Sequence, residues 1–138
     1  RITVKIAKIN KEVEAEVADR EEIGEYWGYS VVVESRLLGK ILEDKTFDMT
    51  VATSRYGVAF AQVAKEIEER WEEARSILVA FGSPAKGLHE IVKTEGLNLP
   101  DVADFVINTI PSQGTETVRT EEALIASLAI LRTCVSNV

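Results

Sequence analysis

The chain has 138 residues, of which 46% are hydrophobic and 28% are charged, a balance typical of one globular domain. It contains no apolar run long enough to span a bilayer and no secretory signal pattern at its start, so neither a membrane protein nor a secreted one is expected. The formal net charge of −7 argues against a nucleic-acid-binding surface, which needs Lys and Arg facing phosphates.

The single cysteine and the single histidine restrict the chemistry. Cys134 has no partner for an internal disulfide, which favours a reducing, cytoplasmic setting, and its apolar helical surroundings predict a small buried side chain. His89 is expected to have a solvated or structural role. One histidine and one cysteine cannot form a zinc site, so no metal is expected.

The first element in chain order is a predicted β-hairpin. Apolar and polar residues alternate over residues 2–17, which predicts two strands with one buried face. An acidic connection follows, and we place a boundary near Arg20. Because the chain starts at Arg1, without a methionine and directly in a strand pattern, we expect it to be part of a longer protein.

From residue 29 onward, predicted strands and helices alternate. The strands cover residues 29–33, 47–53, 77–81 and 104–109. The helices cover residues 36–43, 60–74 and 84–93, and a last stretch from Thr120. This order predicts an α/β fold, a parallel sheet with helices on both faces. The predicted buried face of the last helix consists of Leu124, Ile125, Leu128 and Leu131.

The candidate site lies in the segments that follow the strands, because ligands of open α/β sheets bind beyond the carboxyl ends. The first segment is Thr53-Ser54-Arg55-Tyr56-Gly57, whose hydroxyl groups can bind a ligand or cap a helix. The second is Gly82-Ser83-Pro84-Ala85-Lys86-Gly87-Leu88. Its glycines allow a backbone to approach a ligand closely, but Ser83 and Pro84 equally suit the start of a helix. It matches neither a P-loop nor a dinucleotide fingerprint.

The third segment runs for sixteen residues from Asn108 to Ala123 and is rich in Gly and Thr. It joins two apolar elements, yet a connection that serves only folding is usually shorter. Its exposed amide N–H and C=O groups can recognise a purine edge without a charged side chain. We therefore expect a ligand at this loop.

The second and third segments, together with Tyr26-Trp27-Gly28-Tyr29, resemble the SPOUT-class RNA methyltransferases. The resemblance is to the archaeal and eukaryotic family related to the human centromere-linked SPOUT-domain methyltransferase, and it covers roughly residues 20–138. It implies a C-terminal trefoil knot, a homodimer with contacts from the last helix, and S-adenosyl-L-methionine as cofactor. It also implies that residues 1–20 are the hairpin that ends an OB-like insert and that residues 21–138 are the knotted domain without its N-terminal part.

Carried over residue by residue, the resemblance implies a cofactor pocket. One wall consists of Gly82, Ser83, Gly87 and Leu88. Another wall consists of Asn108, Thr109, Ile110, Gln113 and Gly114. The pocket is closed by Val118 and Thr120, with Thr53 and Ser54 beside it.

The function implied by the resemblance is methylation of RNA, at a uridine ring nitrogen of ribosomal RNA. Arg119 is the leading candidate for a cation that stabilises the deprotonated base, although pairing with a helix carboxylate explains it equally well. Glu116 is a candidate proton acceptor, and Arg55 a candidate phosphate or subunit contact. We expect the chain alone to be inactive, because the family's RNA-binding portion is absent from it.

Two other functions remain open. The first is a knotted, dimeric scaffold protein in ribosome assembly that has no catalytic activity, because a fold does not determine a function. The second is a small-molecule methyltransferase, which would tolerate the acidic composition better.

Overall fold

The computed structural model describes residues 4–9, 13–18 and 29–134, which fall into two compact units, residues 1–34 and residues 35–138. In the first unit, strands β1 (Val4–Ile9) and β2 (Val13–Val17) pair antiparallel. The predicted strand pair is therefore present, but Val4, Ile6 and Val17 are exposed, so the predicted burial of one hairpin face is wrong.

Two further predictions concern the first unit. The predicted strand over residues 29–33 is wrong, because this run has no strand conformation and its valines are 78–93% exposed. The boundary near Arg20 and the family-like residues 26–28 lie outside the described residues. That the hairpin ends an OB-like insert stays a prediction.

The second unit is built on a parallel sheet, as predicted. Its elements in chain order are α1 (Leu38–Glu43), β3 (Met49–Ala59), α2 (Phe60–Glu73), β4 (Ile77–Ala80), α3 (Leu88–Thr94), α4 (Leu99–Val102), β5 (Phe105–Asn108) and α5 (Thr120–Arg132). The strand order is β4-β3-β5, and both pairs are parallel. The central strand is therefore β3, and all three carboxyl ends meet at one edge.

Helices cover both faces of this sheet, because successive strand residues alternate between two apolar clusters. On one face, Ala52 and Ala80 pack with residues of α1, α3 and α4, such as Leu42 and Val92. On the other face, Val51 packs with residues of α2 and α5, a cluster that includes Ile67, Leu131 and Cys134. Burial raises the pKa of the Cys134 thiol, and the prediction of a small buried side chain is confirmed.

The last helix differs from its prediction. α5 begins at Thr120 as expected, but Leu124, Ile125 and Leu128 are 40%, 72% and 47% exposed. Only Leu131 of the predicted face is buried, together with Ser127. Within the described residues, no helix is long and apolar enough to cross a bilayer.

Candidate active site

A cavity of about 380 Å³ opens where the carboxyl ends of β3, β4 and β5 meet. We call it the carboxyl-end cavity. Twelve of the thirteen residues predicted to hold a cofactor line it, and Gly114 is the exception. The structure therefore brings together segments that are more than fifty residues apart, such as Thr53 and Asn108.

The first wall of the cavity is formed by a bulge that interrupts β3. Thr53 and Val58 both pair with Ile107 of β5, so the residues between them leave the ladder. A Cβ atom on Gly57 would lie 2.6 Å from the backbone carbon of Ile107, and only glycine permits this approach. The predicted loop after β3 is therefore wrong, because the strand continues to Ala59 after the bulge.

The second wall is the glycine-containing turn after β4. The Ser83 amide donates to the Lys86 carbonyl at 2.9 Å, and the Ser83 hydroxyl accepts from the Lys86 amide at 3.0 Å. A Cβ atom on Gly82 would lie 2.9 Å from that same carbonyl oxygen. The turn delays the next helix until Leu88, so the predicted helix start at Ser83 and Pro84 is wrong.

The third wall is the long polar loop after β5, which is held to the bulge by hydrogen bonds. The Asn108 side chain donates to the Arg55 carbonyl at 3.1 Å and accepts from the Ile110 amide at 2.9 Å. The Arg55 guanidinium donates to the Glu116 carbonyl at 2.6 Å, and the Gln113 amide donates to the same oxygen at 3.0 Å. The loop therefore has a fixed path around the cavity.

Hydroxyl groups connect these walls to one another. The Thr53 hydroxyl donates to the Ala80 carbonyl at 2.9 Å, which joins β3 to β4. The buried hydroxyl groups of Thr109 and Ser127 lie 2.7 Å apart, which joins the end of β5 to α5. Thr120 and Gly82 are joined by a longer contact of 3.4 Å. These hydroxyl groups on the cavity wall therefore already have partners in the protein.

His89 differs from these hydroxyl groups. It lies on the cavity wall in the first turn of α3, and its Nε2 atom is buried without a hydrogen-bond partner among the described residues. The Tyr56 ring lies edge-on to the imidazole, with 6.5 Å between centroids. The sequence offered one signal that was missed, namely that His89 follows directly after the predicted wall residue Leu88.

The two predicted catalytic residues, Glu116 and Arg119, differ in whether they line the cavity. Glu116 lines the cavity, and its carboxylate has no hydrogen bond or ion pair in the described part of the chain. Arg119 is exposed at the start of α5 and does not line the cavity, although its neighbours Val118 and Thr120 do. Arg55 is the arginine among the described residues that line the cavity.

A parallel α/β domain with a cavity at the carboxyl ends of its strands belongs to the large class of proteins that bind small molecules or cofactors at that edge. The particular family is given by comparison with known proteins: residues 1–131 match the family described as "Putative RNA methyltransferase". The chain belongs to this family, and the resemblance to SPOUT-class RNA methyltransferases is confirmed.

The relatives include both archaeal and animal proteins. An uncharacterized protein of Haloarcula marismortui is 33% identical over 95% of this chain and 47% of its own length. The 28S rRNA (uridine-N(3))-methyltransferase of Mus musculus is 38% identical over 82% of this chain and 29% of its own length. The enzyme of the same name from Homo sapiens is 37% identical over 82% of this chain and 30% of its own length. The chain thus spans less than half the length of these relatives.

Proposed function

We propose that this chain is the methyl-donor-binding part of a methyltransferase that acts on a uridine ring nitrogen of ribosomal RNA. The observation that supports this most is the carboxyl-end cavity, which combines the family's polar loop with the glycine-containing turn. Three relatives carry the name of 28S rRNA (uridine-N(3))-methyltransferases. The proposal includes a trefoil knot through these loops. It also includes a cytoplasmic location, which the free buried thiol of Cys134 supports.

The cavity suits S-adenosyl-L-methionine in size and in chemistry. Its volume of about 380 Å³ lies within the range usual for small-molecule sites. A Cβ atom on Gly87 would meet nothing within 4 Å, so the backbone there stands open. The buried Nε2 of His89, which has no hydrogen-bond partner within residues 4–9, 13–18 and 29–134, supplies one polar group that a ligand can satisfy. Backbone groups of Gly82, Gly87 and the polar loop would hold the nucleoside and amino-acid portions.

When bound, the cofactor supplies an activated methyl group on a sulfonium sulfur. The chain's residues then have two tasks, alignment of the acceptor and transfer of its proton. Transfer to the acceptor nitrogen would form an N–C bond and leave the electron pair of the S–C bond on sulfur, and a carboxylate of this chain would take the nitrogen's proton. Glu116, whose carboxylate lies at the cavity without a partner among the described residues, is the proposed proton acceptor. Arg119 stays the proposed cation for the base, with Arg55 as a closer alternative.

Calorimetry with S-adenosylhomocysteine tests this function, with guanosine triphosphate as the control ligand. We expect saturable binding of the first and none of the second. With labelled S-adenosyl-L-methionine as the donor, we expect the full-length protein to transfer methyl groups to ribosomal RNA, and this chain alone to transfer none. Absence of heat at millimolar S-adenosylhomocysteine would support the scaffold alternative. Binding by a full-length protein that methylates small acceptors but not RNA would support a small-molecule enzyme.

The net charge of −7 offers little attraction for phosphates. We therefore propose that this chain holds the methyl donor and the acceptor base, while RNA backbone contacts lie elsewhere in the functional protein.

A homodimer through α5 is part of the proposal. Leu124, Ile125 and Leu128 place three large apolar side chains on the surface of one helix, and such a patch is typical of an interface. We expect sedimentation to show a dimer that Ile125→Glu converts to a monomer. A glutamate at another exposed apolar position, Val33→Glu, is the control and should leave the dimer intact. If the wild-type protein sediments as a monomer, the proposed dimer is refuted.

A further inference from the structure

A more open cavity, which we call the outer cavity, adjoins the carboxyl-end cavity. The two share Arg55, Tyr56, Asn108, Ile110, Gln113 and Glu116, and the outer cavity adds Ser112. A group-transfer enzyme must hold donor and acceptor in direct contact, so two sites with a common wall have the necessary arrangement. An acceptor held at the shared wall would therefore lie in contact with a donor held in the carboxyl-end cavity.

Tyr56 is the feature of the outer cavity that identifies its ligand. Its side chain is 74% exposed although it is aromatic, and it belongs to the lining of both cavities. The Arg55 guanidinium carbon lies 4.9 Å from the centroid of the Tyr56 ring. Exposed aromatic rings beside arginines are typical stacking surfaces for unpaired nucleobases, because every base has a flat π-face.

The backbone holds this aromatic residue in place. Gly57, which directly follows Tyr56, fixes the bulge against Ile107, and the hydrogen bond from Arg55 to the Glu116 carbonyl connects the bulge to the polar loop. Across the outer cavity, Ser112 has a φ of 56°, a left-handed conformation that is uncommon for a residue other than glycine. Such backbone strain is often found at functional sites.

We infer that the outer cavity is the acceptor subsite and that Tyr56 stacks on the uracil ring of the target nucleotide. This assignment rests on the proposed methyltransferase function. Tyr56 positions the base, and Glu116, which lines both cavities, takes the proton of the ring nitrogen as the methyl group is transferred. The exposed ring thus selects a flat base that is no longer stacked on the neighbouring bases of the RNA.

Photo-crosslinking with 5-iodouridine 5′-monophosphate, in the presence of saturating S-adenosylhomocysteine, tests this subsite without any measurement of activity. The iodinated base couples to an aromatic side chain on which it stacks, and mass spectrometry maps the product. We expect the crosslink at Tyr56. If S-adenosylhomocysteine binds but the crosslink maps outside the outer cavity, the inference is overturned and the proposed function stands. If S-adenosylhomocysteine does not bind, both are overturned.

Substitutions separate stacking from structural damage. Tyr56→Leu should lower the affinity for the nucleotide at least about fivefold, the lower limit for loss of one stacked base. Tyr56→Phe should retain it, because the ring remains. The matched control is Tyr29→Leu, at another exposed tyrosine, which should change nothing. An equal loss in Tyr56→Phe, or unchanged nucleotide affinity in Tyr56→Leu, would contradict a stacking role.

Discussion

The two ends of the parallel sheet are built in opposite ways. At the amino ends, polar groups are satisfied within the protein: the Asp48 carboxylate accepts from the Ser76 amide at 2.9 Å and its hydroxyl at 3.0 Å. The Asp104 carboxylate accepts from the Thr50 amide at 2.8 Å and its hydroxyl at 2.6 Å. At the carboxyl ends, the same strands open into a cavity on whose wall the buried Nε2 of His89 has no partner among the described residues.

This difference separates stability from binding in one small sheet. Carboxylates that connect β3 to β4 and β5 fix the strands in register at the amino end. The carboxyl end can then keep open space and an unsatisfied polar atom, which cost stability but are available to a ligand. Changes at the amino end should therefore alter folding, and changes at the carboxyl end should alter binding.

The largest effect is expected from Asp104→Ala at the amino end. This change leaves the amide and hydroxyl of buried Thr50 without their acceptor, and we expect a loss of about 3 kcal/mol in the free energy of unfolding. Urea unfolding measures this, and the control Glu73→Ala, at an exposed helix residue, should change little. A loss below about 1 kcal/mol would show that the amino end does not stabilise the sheet in this way.

The next largest effect is expected from His89→Leu at the carboxyl end, where the change should weaken ligand binding and not stability. If a ligand satisfies Nε2, this change removes one hydrogen bond and weakens binding of S-adenosylhomocysteine about fivefold. The melting temperature should stay the same or rise, because the lost atom has no partner in the described protein. Lys93→Ala, an exposed position on the same helix, is the control. Lower stability with unchanged affinity would place His89 with the structural residues.

The smallest effect is the response of stability to acid. Hydrogen bonds from Ser76 and Arg75 lower the pKa of Asp48. Burial alone would raise the pKa of Asp104, but the hydrogen bonds from Thr50 and the nearby Lys45 outweigh it, so its pKa is also lowered. Both groups thus stabilise the fold above about pH 4, the pKa of an unfolded Asp, and this contribution is lost as the pH falls through the lowered values.

Melting temperatures measured from pH 7 downward test this account of the two carboxylates. We expect their contribution to be constant down to about pH 5 and to fall below it. Asp104→Asn should be less stable at pH 7 and should show a smaller acid dependence than the wild type. An identical acid dependence in the two proteins would contradict the assignment to Asp104.

Chain order predicted that the segments after the strands meet at one edge, and the family resemblance supplied the individual residues, most of which line the cavity. Strong helical periodicity located α2, the Gly and Thr content marked the polar loop, and the parallel fold places that loop at the carboxyl ends of the strands. The placement of Arg119 shows the limit, because its sequence neighbours line the cavity whereas Arg119 does not.

The wrong predictions have a common physical cause, namely that a local pattern does not specify its tertiary partner. The apolar face of α5 has helical periodicity, but periodicity does not tell what covers Ile125. The β-branched run at residues 31–33 has strand propensity but forms no ladder in the structure. Ser83 has the signature of a helix cap, yet its hydroxyl closes a single turn with Lys86.

The central claim, that the carboxyl-end cavity is the ligand site of this sheet, is tested most directly by hydrogen exchange with and without saturating S-adenosylhomocysteine. We expect amide exchange in residues 82–88 and 108–120 to slow at least about tenfold and by a larger factor than exchange at Asp48, Thr50 and Asp104, which a ligand slows only by stabilising the whole fold. Binding without protection of these two loops, or with protection at the amino ends instead, would contradict the claim.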